Sequence, residues 1–182
     1  MSLKIIGGIA KGTPLHVPKK TVVRPALSRM RAAIFSSLGD WIEGRNVLDL
    51  FAGSGSLGIE ALSRGASFCT FVDLSKECIG CISNNLKKAH LEGKLILMDV
   101  FKFLQKNKEK YELIFASPPY IKASKPVDSS SLLSLVHQNI DSEGLFVWEF
   151  YSKNILRLPD FWSIHWEKTI GETKVWILKP LF

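Results

Sequence analysis

Residues 49–58 read Asp-Leu-Phe-Ala-Gly-Ser-Gly-Ser-Leu-Gly. Gly53, Gly55 and Gly58 spell G-x-G-x-x-G between a β-rich run and a helical one. Glycine at these places permits a tight turn and lets a ligand approach the backbone. The pattern alone fits any nucleotide-type cofactor, and Asp49 narrows it. A carboxylate four residues before the first glycine is costly if unpaired. It would repel a pyrophosphate seated on the loop and would suit a cationic ligand. S-adenosylmethionine carries an ammonium and a sulfonium and no phosphate. Capping of loop N–H groups is the other use of Asp49, and the two are compatible. Phe51, Ala52 and Ser54 complete the expected cofactor loop. Asp73, twenty residues after Gly53, ends the next β run, where it can bond a ribose diol, with Leu74 beside it. Asp99 follows the third β run, in a position to recognise an adenine amino group with Val100 or Phe101 against the ring. Asp73 and Asp99 equally fit helix N-caps.

A fourth β run leads into Ser117-Pro118-Pro119-Tyr120. The two prolines fix φ and supply no N–H, so the loop is stiff and its carbonyls lack local donors. Such a loop accepts hydrogen bonds from an exocyclic amine. That matters because a nucleobase amine is a poor nucleophile, its lone pair being delocalised into the ring. Acceptors on its two N–H bonds, the Ser117 hydroxyl and the Pro118 carbonyl, would orient it toward a methyl group. Tyr120 offers a face for stacking. Stacking of about 1–3 kcal/mol per base helps offset the cost of extruding one. A Pro-Pro turn with a packing tyrosine is the plainer alternative.

The elements that must position these loops alternate. The pattern predicts strands over Val47–Phe51, Phe68–Asp73, Lys94–Met98, Leu113–Ala116 and Leu145–Phe150. Between them it predicts helices over Gly55–Arg64, Lys76–Ala89, Val100–Gln105 and Leu132–Ile140. This is an α/β pattern, a mostly parallel sheet with helices on both faces, and ligands bind such sheets outside the carboxyl ends of the strands. Phe161–Glu167 and Lys174–Leu178, around Gly171, read as an antiparallel hairpin closing one edge. Before the sheet come short extended pieces, Leu3–Ile6 and Leu15–Val17. A helix follows, with Leu27, Met30, Ile34 and Leu38 on one stripe, Arg29 and Arg31 off it, and a stop near Gly39.

Net charge is +7, and it is localised. Residues 1–39 hold seven Lys or Arg and no acidic residue, whereas residues 40–182 hold seventeen of each sign. We therefore divide the chain into a basic extension, 1–39, and a cofactor-binding domain, 40–182. A basic arm on a neutral body suggests a polyanion, nucleic acid first, with Lys4, Lys11, Arg24, Arg29 and Arg31 as phosphate contacts. A solvated basic face without a partner is the alternative. The 182 residues, 46% hydrophobic and 23% charged, fit one globular domain and exclude a disordered chain. The longest stretch free of Asp, Glu, Lys and Arg, Ser129–Ile140, is too short and too rich in serine to span a membrane. No signal peptide is expected, since Ile5–Ala10 is broken by two glycines. Cys69, Cys78 and Cys81 are too few for a disulfide framework, and the expected compartment is the cytoplasm. Cys78-x-x-Cys81 lies in a helical stretch without a second pair, so no metal is expected. The five tryptophans read as core or edge residues, and Asn84-Asn85 as ordinary helix.

Several of these blocks resemble one family. Ser-Pro-Pro-Tyr is a form of the Asn/Asp/Ser-Pro-Pro-Tyr motif of S-adenosylmethionine-dependent amino-methyltransferases. The chain is similar over nearly its full length to the bacterial 16S ribosomal RNA guanine-N2 methyltransferases of the RsmD type. The similarity runs through Ile5–Gly8, Arg24-Pro25, Arg29-x-Arg31-x-x-Ile34-Phe35, Leu48–Ala66 and Phe115–Tyr120. The resemblance implies a Rossmann-like class I methyltransferase with a seven-stranded sheet, one antiparallel strand and a small N-terminal extension. It implies methylation of one guanine in a hairpin loop of 16S rRNA, within the small ribosomal subunit or an assembly intermediate; we expect a monomer. Two positions depart from the family. Asp or Asn usually stands at Ser117, serine being more familiar in cytosine-N4 DNA methyltransferases, and Thr usually stands at Ala26. Left open are a DNA amino-methyltransferase acting on cytosine N4 or adenine N6, a nucleotide-binding module or dehydrogenase, and a non-catalytic RNA-binding assembly factor.

Overall fold

In a computed structural model, the structure describes residues 3–18, 25–118 and 127–182, with side chains from residue 28 onward in the second stretch. A two-stranded antiparallel hairpin, β1 (Leu3–Lys4) and β2 (Pro14–Leu15), precedes helix α1 (Pro25–Leu38) and a 3-10 turn (Gly39–Ile42). There follow β3 (Asn46–Leu50), α2 (Ser56–Ser63), β4 (Phe68–Asp73), α3 (Lys76–Ala89), β5 (Lys94–Leu97), α4 (Val100–Lys106) and β6 (Tyr111–Ala116). The chain ends with α5 (Ser129–Asn139), β7 (Ile140–Tyr151), β8 (Trp162–Ile170) and β9 (Thr173–Pro180). The alternation read from the sequence is present, with element ends moved by a few residues.

The main sheet has the order β5-β4-β3-β6-β7-β9-β8. Only β9 runs against its neighbours; the other pairings are parallel. The hairpin β8–β9 closes one edge through β9, leaving β8 outermost. The chain leaves β3 toward β4 on one side and returns to β6 on the other. The crevice between the carboxyl ends of β3 and β6 is therefore the switch point.

Val47, Leu48 and Leu50 are wholly buried because β3 is covered on both faces. One face packs against α1, α2 and α3, where Ile34, Phe35, Ile59 and Ile82 meet Val47, Phe115 and Val147. The other packs against α4 and α5, where Phe103, Leu104, Leu132 and Val136 meet Leu48, Leu50 and Trp148. Leu3, Ile5 and Leu15 of the extension join the first of these layers. Local chemistry starts and stops the helices. The Ser75 hydroxyl caps α3 by accepting the Cys78 N–H, and the Asp128 carboxylate caps α5 by accepting those of Ser130 and Ser131. His90, at φ 55°, ends α3 in the left-handed region.

Candidate active site

The turn after β3 is built from unusual backbone. Phe51, Gly53 and Gly55 all have positive φ, at 55°, 56° and 75°. The three glycines have different tasks. A Cβ on Gly53 would meet nothing nearer than the Phe51 carbonyl oxygen at 3.9 Å, so this side of the loop is open. Gly55 is the residue before α2, held in the left-handed region against Ile82 and Ile59. Gly58 serves packing: a Cβ there would lie 2.4 Å from a Phe71 ring carbon and 2.6 Å from the Cys69 sulfur. The expectation that Gly58 meets the cofactor is corrected, because it is buried and lets α2 press against β4.

Asp49 is not on the lip. It is 2% exposed, and its Oδ2 accepts the Gly58 N–H at 3.0 Å, bracing the loop from beneath. Burial raises its pKa from the usual carboxylate range to about 8, with the Gly58 N–H opposing and the charge of Asp73 adding. Asp73 does lie on the rim, half-buried. Its Oδ2 accepts the Gly53 N–H at 2.9 Å and its Oδ1 the Ser75 N–H at 2.8 Å. Asp99 is the N-cap of α4, its Oδ1 accepting the Lys102 N–H. Both keep acceptor capacity, since a carboxylate offers about four lone-pair sites. Beside them Leu74 is 71% exposed. Val100 is corrected: its side chain is buried in the layer under α4 and α5, because it begins α4 facing the sheet. Leu74 and the half-buried Phe101 are the other apolar residues that follow these two carboxylates in the chain. An open loop face, two rim carboxylates and an exposed leucine fit an adenosine-bearing cation.

Across the crevice, Ser117 follows β6, and its hydroxyl donates to Oε2 of Glu149 at 3.3 Å. Pro118 is half-buried beside it; Pro119 and Tyr120 lie outside the described residues. Glu149 was missed in the sequence because it sits inside the otherwise apolar run Leu145–Tyr151 of β7. Its signal was the same as that of Asp49, a carboxylate near the carboxyl end of a central strand. Ala116 pairs with Trp148, so Ser117 and Glu149 are neighbours one residue further on. They share a face with Asp49, Phe115 and Val147 by the two-residue alternation of strands.

Among the basic residues, Lys4, Lys11 and Arg29 are exposed, and Arg24 lies outside the described residues. Arg31 is corrected. It is 4% exposed, gives its Nη2 to the Lys4 carbonyl, and leaves Nε and Nη1 buried without a hydrogen-bond partner among the described residues, so no phosphate reaches it. The helical stripe is wider than its sequence pattern, and the hairpin covers the flank on which Arg31 lies.

The family model described as Conserved hypothetical protein 95 matches residues 3–179. The chain belongs to that family. It is 35% identical over 154 residues to the Putative rRNA methyltransferase YlbH of Bacillus subtilis, covering 81% of this chain and 82% of that protein. It is 31% identical over 176 residues to the Ribosomal RNA small subunit methyltransferase D of Haemophilus influenzae, covering 93% and 89%. Among solved structures, the Putative methyltransferase yhhF from Escherichia coli aligns with a TM-score of 0.87 and 26% identity, over 100% of this chain and 99% of that one. The resemblance to the RsmD type stands on these matches.

Within the family block Leu48–Ala66, only the first half shapes the loop. The second half holds the extension. Glu60, fully buried, accepts the N–H groups of Ile6 and Gly7 at 2.8 Å each, and Arg64 Nε at 2.8 Å. The Ser63 hydroxyl donates to the Gly7 carbonyl and accepts the Ala10 N–H. Asn85 lies in α3, as the sequence pattern predicts, and its buried amide also reaches beyond the helix. Its Nδ2 donates to the carbonyls of His16 and Ser54 at 2.9 Å, and its Oδ1 accepts the His16 N–H. One buried amide thus ties the extension to the glycine loop.

Proposed function

We propose that this protein transfers a methyl group from S-adenosylmethionine to the N2 amine of a guanine in 16S ribosomal RNA. The coarser part, methylation of small-subunit rRNA, draws on relatives named for that activity across most of this chain. The observation that carries the reading is the Ser117 hydroxyl, one strand across the crevice from the open loop face and turned so that its proton goes to Glu149.

Asp73 would hold the ribose, and Asp99 the adenine amino group, with Leu74 and Phe101 against the ring. Asp49 supplies negative charge from beneath the loop. Bound there, S-adenosylmethionine supplies an electrophilic methyl group carried on a sulfonium. Ser117 and the Pro118 carbonyl accept the N–H bonds of the incoming amine and aim its lone pair. Tyr120 stacks on the extruded base, and Lys4, Lys11, Arg24 and Arg29 contact phosphates, which position the RNA rather than select its sequence. The basic extension, 1–39, is the RNA-binding part and 40–182 the methyl-transfer part of a cytoplasmic monomer.

Mass mapping of rRNA from cells lacking the protein tests this. One N2-methylguanosine in 16S rRNA should disappear, and an unchanged map would refute the reading. Tyr120→Ala should lose most turnover while keeping cofactor affinity; equal loss of both would speak against stacking. Ser117, where the family carries Asp or Asn, favours a second reading, a DNA amino-methyltransferase. Labelled methyl transfer to duplex DNA but not to small-subunit particles would establish it.

A further inference from the structure

We infer that the connection from Ser152 to Asp160 is an RNA-binding strap, in which Ile155 inserts where the extruded base leaves its stack and Lys153 and Arg157 hold phosphates on either side. The inference rests on the reading above, that the target is an extruded base of rRNA, and names the element that holds the RNA open.

The strap starts on the rim where the base must enter. The last pair between β6 and β7 joins Ala116, the residue before Ser117, to Trp148, yet β7 runs on to Tyr151. At about 3.3 Å per residue, this carries β7 about 10 Å beyond Ala116. Tyr151 shares a face with Glu149 by the two-residue alternation of strands, so the strap departs above the wall that Ser117 and Glu149 form. Two bonds fix its first turn. The Ser152 N–H donates to the Glu172 carbonyl at 2.8 Å, and the Asn154 N–H to the Tyr151 carbonyl at 2.9 Å. The connections that follow β3, β4, β5 and β6 each carry a helix, whereas this one carries none.

Beyond the turn, exposure alternates. Asn154, Leu156 and Leu158 are half-buried, and both leucines pack against the layer under α4 and α5. Lys153, Ile155 and Arg157 are exposed. A lone exposed apolar residue is ordinary on a protein surface. Ile155 differs in its setting. It is the most exposed of the large apolar residues described. Its backbone is held between the Tyr151–Asn154 turn and the buried side of Leu156. A cation stands two residues away in each direction, and residues 151–159 include no Asp or Glu. Proteins that unstack nucleic acid insert apolar wedges and seat cations on the phosphates. A β-branched side chain on a pinned backbone has few rotamers to lose on insertion. The apolar surface it buries offsets part of the cost of extruding the base.

The test uses small-subunit particles with 2-aminopurine in place of the base that the wild-type protein methylates. 2-Aminopurine brightens when it leaves its stack. With S-adenosylhomocysteine bound, the wild-type protein at saturation should raise the fluorescence severalfold. Ile155→Ala should give less than half that rise while binding S-adenosylhomocysteine as the wild type does, and Ile155→Leu should restore it. On unmodified particles Ile155→Ala should lower kcat more than it raises KM, because insertion follows binding. Lys153→Gln combined with Arg157→Gln should reduce the slope of log K for particle binding against log salt by about 1.4–1.8, as the loss of two phosphate contacts requires. An undiminished rise with Ile155→Ala would overturn the insertion. An unchanged salt slope would overturn the strap as an RNA contact and leave its exposed face to a protein partner. A wild-type protein that methylates no guanine N2 in the particles would refute the functional reading itself, and the inference with it. N2-methylguanosine formed by the wild type, with a fluorescence rise that Ile155→Ala leaves intact, would refute only the role of Ile155.

Discussion

The Asp49 carboxylate accepts the Gly58 N–H at 3.0 Å from a position 2% exposed. It links the central strand to the first turn of α2, directly under the loop that would carry a cationic ligand.

That placement sets a pH dependence. Burial raises Asp49 to about 8, so the folded, ligand-free protein holds a proton that the unfolded chain releases near pH 4. Stability from this group is fully present below about pH 4 and is lost as pH rises through about 8. Melting temperatures of the wild type should fall between pH 5 and pH 9. Asp49→Asn, which keeps an acceptor for Gly58, should flatten that fall; identical profiles would refute the argument. A cation over the loop favours the ionised form, so cofactor binding below pH 8 should release a proton. Calorimetry in buffers of different ionisation enthalpy reads this directly.

The glycines should separate by task. Gly58→Ala forces a methyl into Phe71 and Cys69 and should cost about 1–3 kcal/mol of stability. Gly53→Ala meets open space but imposes φ +56° on a side chain, a cost of about 1–2 kcal/mol, and it should weaken cofactor affinity more than Gly58→Ala does. Denaturant titration and calorimetry distinguish the pair. Equal effects on both quantities would show that the loop has no open face.

Asn85→Ala should destabilise the protein by about 2–4 kcal/mol, because it leaves the His16 N–H and two carbonyls without their partner. Limited proteolysis should then cut first near residue 16. A loss below about 1 kcal/mol would mean that water replaces the amide at no cost.

Neutralising Lys4 and Lys11 together should reduce the slope of log K for RNA binding against log salt by about 1.4–1.8, the release expected for two phosphate contacts. Arg31→Met should leave that slope unchanged, since its guanidinium is inside. A changed slope for Arg31→Met would place that residue back on the RNA surface.

The parallel sheet was legible because its strands are short apolar runs separated by amphipathic helices, and the cofactor loop because its glycines obey backbone geometry that sequence records directly. The errors share one physical origin. Arg31 and Val100 sit on helix flanks whose exposure depends on what covers them, and no local pattern reports the cover. Arg31 is hidden by a hairpin more than ten residues away in sequence. Glu149 was invisible for the opposite reason. Its strand is legible, but no glycine pattern follows it of the kind that singles out Asp49 in β3.

Glu60 is a fully enclosed carboxylate, two of whose backbone donors come from Ile6 and Gly7. Clipping the terminal arm would take both of those donors away and leave the charge to Arg64, on the very helix that opens at the glycine turn. The arm is therefore no detachable handle. Anyone exchanging it between homologues to redirect the enzyme must carry α2 across with it, and a fusion tag is safer at the opposite terminus.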